Sequence, residues 1–196
     1  MPHLAIGYVA WTLLGGFWSS SGTLISRHRA FVIQGGMKVE QIVMMELTKL
    51  VIQFLHQVPL IIGILLYYGV EQNLKSFLSL LGLLLIIVNG RSVLVIFGIL
   101  SLRYRDMPEV IMAVIRMAFL ATPIIWMAGD DGRSGLIGPY TIYNPFYHFL
   151  EIFRAPLLNK DVEPLTWIVV IIFTVIGMIT AEFFKRRFKK QVPLWL

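Results

Sequence analysis

The sequence predicts an all-α integral membrane protein with about five transmembrane helices and one short amphipathic helix outside the bilayer. Three observations point there. The chain is 57% hydrophobic and only 14% charged, whereas an ordinary soluble domain carries about 25% charged residues. Its apolar runs are long enough to cross a hydrocarbon core about 30 Å thick, which takes roughly 20 helical residues. Its cations are gathered rather than spread, with five of the 17 Lys and Arg in the tail after residue 184. The net charge of +6 therefore reads as a topology signal and not as a nucleic-acid surface. With no cysteine there are no disulfides and no thiolate chemistry. The start "MPHLAIGYVAW" has no basic region and no small-residue cleavage site, so it does not read as a signal peptide.

The whole chain, 1–196, reads as a single transmembrane domain with spans at 3–25, 47–70, 77–102, 108–128 and 164–184. The last four are strongly apolar. The first, "HLAIGYVAWTLLGGFWSSSGTLI", is diluted by Gly15, Gly16 and three serines. The turn "LRYRDMPEV" at 102–110 stops one span and starts the next. Arg103 and Arg105 close the earlier helix. Asp106 with Glu109 has the spacing of a capping box, and Pro108 falls in the first turn. Between the last two spans, "YNPFYHFLEIFRAPLL" offers Asn144 as N-cap, Pro145 at the first helical position and Pro156 as a stop about eleven residues on. Phe146, Phe149, Leu150 and Phe153 fall on one face, and Tyr147, His148, Glu151 and Arg154 on the other. A helix of ~16 Å is too short to span, so it reads as lying at the outer interface or dipping into it.

Orientation follows from the cations. Segment 22–49, the loop at 102–109 and the tail from 185 hold four, two and five Lys and Arg. The opposite side holds Lys75, Arg133, Arg154 and Lys160. The basic set marks the cytoplasm, so the C-terminus is inside. Five spans then place the N-terminus outside, close to its first span, and a further span upstream would remove that oddity.

No residue pattern reads as a catalytic centre. A phosphate-binding G-x-x-x-x-G-K-[ST] loop is lacking, and His3, His28, His56 and His148 are scattered without metal-ligand spacing. "GDDGR" at 129–133 is an isolated acidic pair in a turn. The polar residues inside the spans carry more. Asn89 and Arg91 lie near the middle of one span and Arg116 lies eight residues into another. A charge at mid-bilayer costs about 2.5–3.5 kcal/mol on insertion scales. Arg116 can snorkel toward the start of its helix; Arg91 has no such exit and either lines a pathway or is satisfied by internal hydrogen bonds. Gln53, His56 and Gln57 share a face ahead of Pro59. These residues predict a helix bundle with a polar seam.

In order, "RYRD", "FLATPIIWMAG", "YNPFYHFLEIFRAPLL" and a last span with a basic tail ending "VPLWL" resemble the permease subunit of the ABC-2 type polysaccharide exporters. Those proteins move O-antigen, capsular polysaccharide or teichoic acid. The resemblance covers essentially the whole chain, and "NPFYHFLEIFR" leans toward the O-antigen branch. The family begins with a cytoplasmic amphipathic segment and one more span than is present here, so a late start or a truncation is the expectation.

The resemblance implies a multi-pass protein of the bacterial inner membrane, a homodimer of permeases, and two separate ATP-binding subunits that carry ATP-Mg. The chain itself would hold no cofactor and bind no nucleic acid. It implies contact with the ATPase around 26–41 and 102–109, through Arg27, Arg29, Arg103, Arg105 and Asp106. It implies a glycan pathway past Asn89, Arg91, Arg116, Trp126, Tyr143, Phe146 and Tyr147, with aromatic rings stacking on sugars and arginine forks meeting a lipid diphosphate; Trp167 reads rather as an interfacial belt residue. The rival readings are an ABC-2 permease for a drug or other small molecule and an intramembrane lipid-modifying enzyme.

Overall fold

The computed structural model describes residues 2–70, 72–124, 138–189 and 191–195, and every regular element among them is helical. Pro2–Ser21 forms α1, and the short helices α2 (Leu24–Arg27) and α3 (Arg29–Ile33) follow. Next come α4 (Val39–Leu55), α5 (Val58–Tyr67), α6 (Leu78–Arg103), α7 (Met107–Ala121), α8 (Pro145–Leu157), α9 (Pro164–Phe188) and α10 (Val192–Trp195). Three stretches are long and apolar enough to cross a membrane: Val39–Tyr67, Leu74–Arg103 and Pro164–Phe188, of 29, 30 and 25 residues. At 1.5 Å per residue the shortest is about 37 Å long.

The other two predicted spans end sooner than the sequence suggested, for local reasons. The 3–25 segment is helical only to Ser21. Gly22 then lies against the Pro108 backbone, where a Cβ would stand 2.9 Å from its Cα. The 108–128 segment stops at Ala121, because Pro123 disfavours helical backbone at Thr122, which is extended at ψ 135°. That leaves fifteen residues in α7, about 22 Å. The second predicted span, 47–70, starts earlier, at Val39, and is broken at His56–Gln57, with Pro59 in the first turn of α5.

α6 is the axis of the molecule. Asn89 meets Thr174 of α9, and Gly177 faces Ser92. Phe17 of α1 fills the space that a Cβ on Gly90 would take, and Ile25 stands against Gly98. Thus α1, α6 and α9 run in one direction. α4–α5 and α7 run the other way, since Leu50 and Ile115 meet Gly16 and Gly15 of α1 while Gln57 meets Thr12 and Pro108 meets Gly22. The basic segments that begin at residues 22, 103 and 185 come to one end of the bundle. At the other end Lys75 pairs with Asp161 at 2.6 Å and Asn73 with Asn159 at 2.9 Å.

α8 begins as its sequence requires: Asn144 Oδ1 accepts from the Phe146 amide at 3.0 Å, with Pro145 at the first position. Pro156 sits inside the last turn instead of stopping the helix, which runs to Leu157 before Asn159 turns at φ 56°. Its two faces are not dry and wet. Phe149, Leu150 and Phe153 are buried, and so are His148 and Arg154 from the expected polar face. α8 is enclosed by α1, α6 and α9, so close to α6 that a Cβ on Gly82 would stand 2.6 Å from Ile152 O.

Candidate functional site

A shallow polar groove runs along one side of the bundle between α4 and α7, with α1 as its floor. Tyr8, Thr12 and Ser19 leave α1 at helical spacing on its outward side. Thr12 Oγ1 lies 3.0 Å from Gln57 Oε1, which closes the groove toward α5. Lys49, Gln53 and His56 line the α4 wall and are exposed. On α7, Ile115 packs under Gly15 of α1, and the next residue, about 100° further round, is Arg116. It is exposed and, among the described residues, makes no hydrogen bond or ion pair. Its neighbours on the exposed face, Met112, Val114, Met117 and Leu120, are apolar.

Beneath the basic end of this groove lies a carboxylate that the sequence did not single out. Glu46 is only 4% exposed, with Lys49 Nζ at 3.0 Å and Arg27 at 3.7 Å. Glu46 falls just ahead of the predicted 47–70 span, yet α4 starts at Val39 and carries both Glu46 and Lys49; their three-residue spacing was the available signal.

The predicted pathway residues separate. Arg91, near the middle of α6, does have an exit: its guanidinium reaches Glu40 in the first turn of α4. Glu40 also accepts from Lys185 of α9 at 3.3 Å, and Lys185 pairs with Glu182 at 2.7 Å. Arg91 is thus ion-paired with a half-exposed carboxylate. Asn89 donates from Nδ2 to Leu85 O at 3.0 Å and to Thr174 Oγ1 at 2.5 Å, and lines an apolar cleft away from the groove. Phe146 lies in the same cleft, with Trp11 and Trp18 each 5.6 Å away between ring centres. Tyr143 is exposed. Tyr147 is half-buried, and that burial, helped by the Glu151 charge, pushes its phenol pKa above the usual value. Trp126, like Asp130, Asp131 and Arg133, lies outside the described residues.

Of the residues expected to meet an ATPase, Arg27 is engaged with Glu46 and with Thr23 O. Arg29, Arg103, Arg105 and Asp106 are exposed at the basic end, Arg103 with its guanidinium 6.0 Å from the Tyr104 ring centre. The expected Asp106–Glu109 capping box is not formed: Asp106 has helical backbone and its side chain caps nothing. Its carbonyl accepts from the Glu109 and Val110 amides instead, each at 3.1 Å.

The largest fully buried side chain is Arg154, which the sequence placed on a polar face. It donates to Pro123 O at 2.8 Å and to Glu151 at 2.5 Å, while its Nε has no partner among the described residues. It ties α8 to the chain just after α7. His148 is held likewise, with Nε2 2.8 Å from Ile142 O and Nδ1 3.0 Å from the Thr166 hydroxyl. Among the described residues no three His, Asp or Glu side chains are grouped to hold a metal. No protein-family model matches the chain, and no characterised protein matches its sequence.

Proposed function

We propose that this chain is the membrane-spanning permease subunit of an ABC exporter that moves a lipid-linked polysaccharide, of the O-antigen kind, across the inner membrane. In this reading five helical segments cross the bilayer, the C-terminus faces the cytoplasm, two copies pair, and separate ATP-binding subunits dock on the basic end. The observation that carries it is the exposed, unpartnered Arg116 among apolar neighbours on α7, opposite Lys49, Gln53 and His56. A cation facing hydrocarbon at this depth costs about 2.5–3.5 kcal/mol, so this side suits water, an anionic substrate group or a second copy better than lipid. The resemblance in "RYRD" and "NPFYHFLEIFR" supplies the substrate class. The exposed Arg29, Phe31 and Ile33 of α3 and the exposed 103–106 turn supply a surface for the ATPase.

The test is deletion of the gene together with recovery of the tagged chain. Deletion should strip the surface polysaccharide while lipid-linked glycan accumulates inside the cell, and the tagged chain should copurify with an ABC-type ATPase. Intact surface glycan would refute the substrate; recovery without any ATPase would refute the transporter assignment.

A further inference from the structure

On the side of the bundle away from the polar groove, α1, α6, α8 and α9 enclose a cleft of about 260 Å³. It lies near the middle of α6 and α9, where Gly177 lets α9 approach Ser92 of α6 and Gly90 lets α6 approach Phe17 of α1. Its walls are almost wholly apolar: Phe17, Trp18, Val93, Phe146 and Phe149 contribute most of them. Of the polar groups at its edge, Asn89, Ser92 and Thr180, the first two are already engaged. Asn89 donates to Leu85 O and Thr174, and Ser92 Oγ lies 3.3 Å from Val88 O. Its mouth is flanked by Phe173 and Ile176, 46% and 57% exposed and continuous with the apolar outer surface of α9.

We propose that this cleft is a binding site for the acyl chain of a bilayer glycerolipid. An apolar cavity of ~150 Å³ stays free of water and accepts a hydrocarbon the size of benzene, and this one is larger. It is too small to admit a helix, whose diameter with side chains is about 10–12 Å. Halfway along two membrane-length helices, the medium at its mouth is acyl chain at very high local concentration. Mass action fills such a site even at weak affinity. A sugar would lose most of its hydrogen bonds to water there and meet few partners in return, Asn89 Oδ1 and the Thr180 hydroxyl among them. The cleft therefore takes Asn89 and Phe146 out of a glycan path and gives them to lipid. The inference requires only that α6 and α9 cross the membrane, and it stands whether or not the chain exports a polysaccharide.

The test uses the full chain in nanodiscs made with phosphatidylglycerol carrying a photoactivatable diazirine midway along one acyl chain. Cross-linked residues are mapped by mass spectrometry. Labelling should concentrate on Trp18, Val93 and Phe146 in addition to the outer face of α9 at Ile172 and Ile179. The double variant Val93→Phe, Thr180→Phe, which fills the cleft from two walls, should cut the Trp18 and Phe146 labelling at least fivefold and leave Ile172 and Ile179 unchanged. Val93→Ile, a smaller change, should retain most of it and shows that the loss is not misfolding. Labelling of Trp18 and Phe146 that never exceeds background, or that survives filling of the cleft, would overturn the proposal. So would labelling of these residues by a diazirine-bearing polyprenyl phosphate in preference to the glycerolipid.

Discussion

Replacing Gly82 by Ala places one methyl group where α6 and α8 meet backbone to backbone. The added Cβ would stand 2.6 Å from Ile152 O and 2.9 Å from its carbonyl carbon, distances that no side-chain rotation relieves. The helices must separate by about 0.5–1 Å, which forfeits a quarter to a half of the dispersion energy of each contact along the seam. Overpacking of this kind costs about 1–3 kcal/mol. With a rigid backbone partner the value belongs near 3 kcal/mol, against a gain of roughly 1 kcal/mol from the better helix propensity of Ala. The net loss is about 2 kcal/mol. For a chain of this size that corresponds to a fall of roughly 4–8 °C in the unfolding midpoint, measured on the purified protein in detergent by the loss of its monodisperse chromatographic peak. Gly63→Ala is the control, because nothing lies within 4 Å of the position its Cβ would take. It should leave the midpoint unchanged or raise it slightly. Equal midpoints for Gly82→Ala and Gly63→Ala would refute the close α6–α8 contact and the enclosure of α8 that follows from it.

Asn144→Ala removes the side chain that caps α8 and should cost about 1 kcal/mol, read as faster backbone hydrogen exchange at residues 146–149; protection equal to the native chain would count against the cap. Glu46→Gln keeps the shape of a carboxyl that is almost wholly buried but leaves Lys49 and Arg27 without their anion. It should destabilise the chain by about 1–3 kcal/mol in a denaturant titration, while Glu182→Gln, on the exposed surface, should change stability by less than ~0.5 kcal/mol. Arg116→Gln removes a cation that makes no hydrogen bond or ion pair among the described residues. The unfolding midpoint should stay where it is while export falls several-fold, and unchanged export would remove Arg116 from the pathway.

The helical segments were legible because their signals are local. Twenty or so apolar residues need no partner to be recognised, and Asn144–Pro145 announces the start of α8 within two positions. Boundaries were less legible where one residue outweighs hydropathy: "FLATPIIWMA" is apolar throughout, yet Thr122 is extended because Pro123 follows it. The seam of Gln53, His56 and Gln57 was visible as a face and does border the groove. What it faces was not, since that depends on α1 and α7 meeting α4 in space. Arg91 and Arg154 show the limit most clearly. In sequence Arg91 reads as a charge with nowhere to go and Arg154 as one on a wet helix face, because their partners Glu40 and Pro123 O lie 51 and 31 residues away. Only the packing of helices reveals that one guanidinium joins a three-helix ion cluster and the other sits inside the protein.

The shared carboxylate of Glu40 has a consequence for how the chain enters the membrane. It is made first, on α4, and Arg91 of α6 follows 51 residues later. If α6 is threaded into a bilayer, the anion has already been made when the guanidinium halfway along that helix enters, and the arginine can pair with it instead of crossing bare. Lys185 arrives last, 145 residues after Glu40, and fastens the final helix onto a pair that is already closed. The order of synthesis and the order of charge neutralisation coincide.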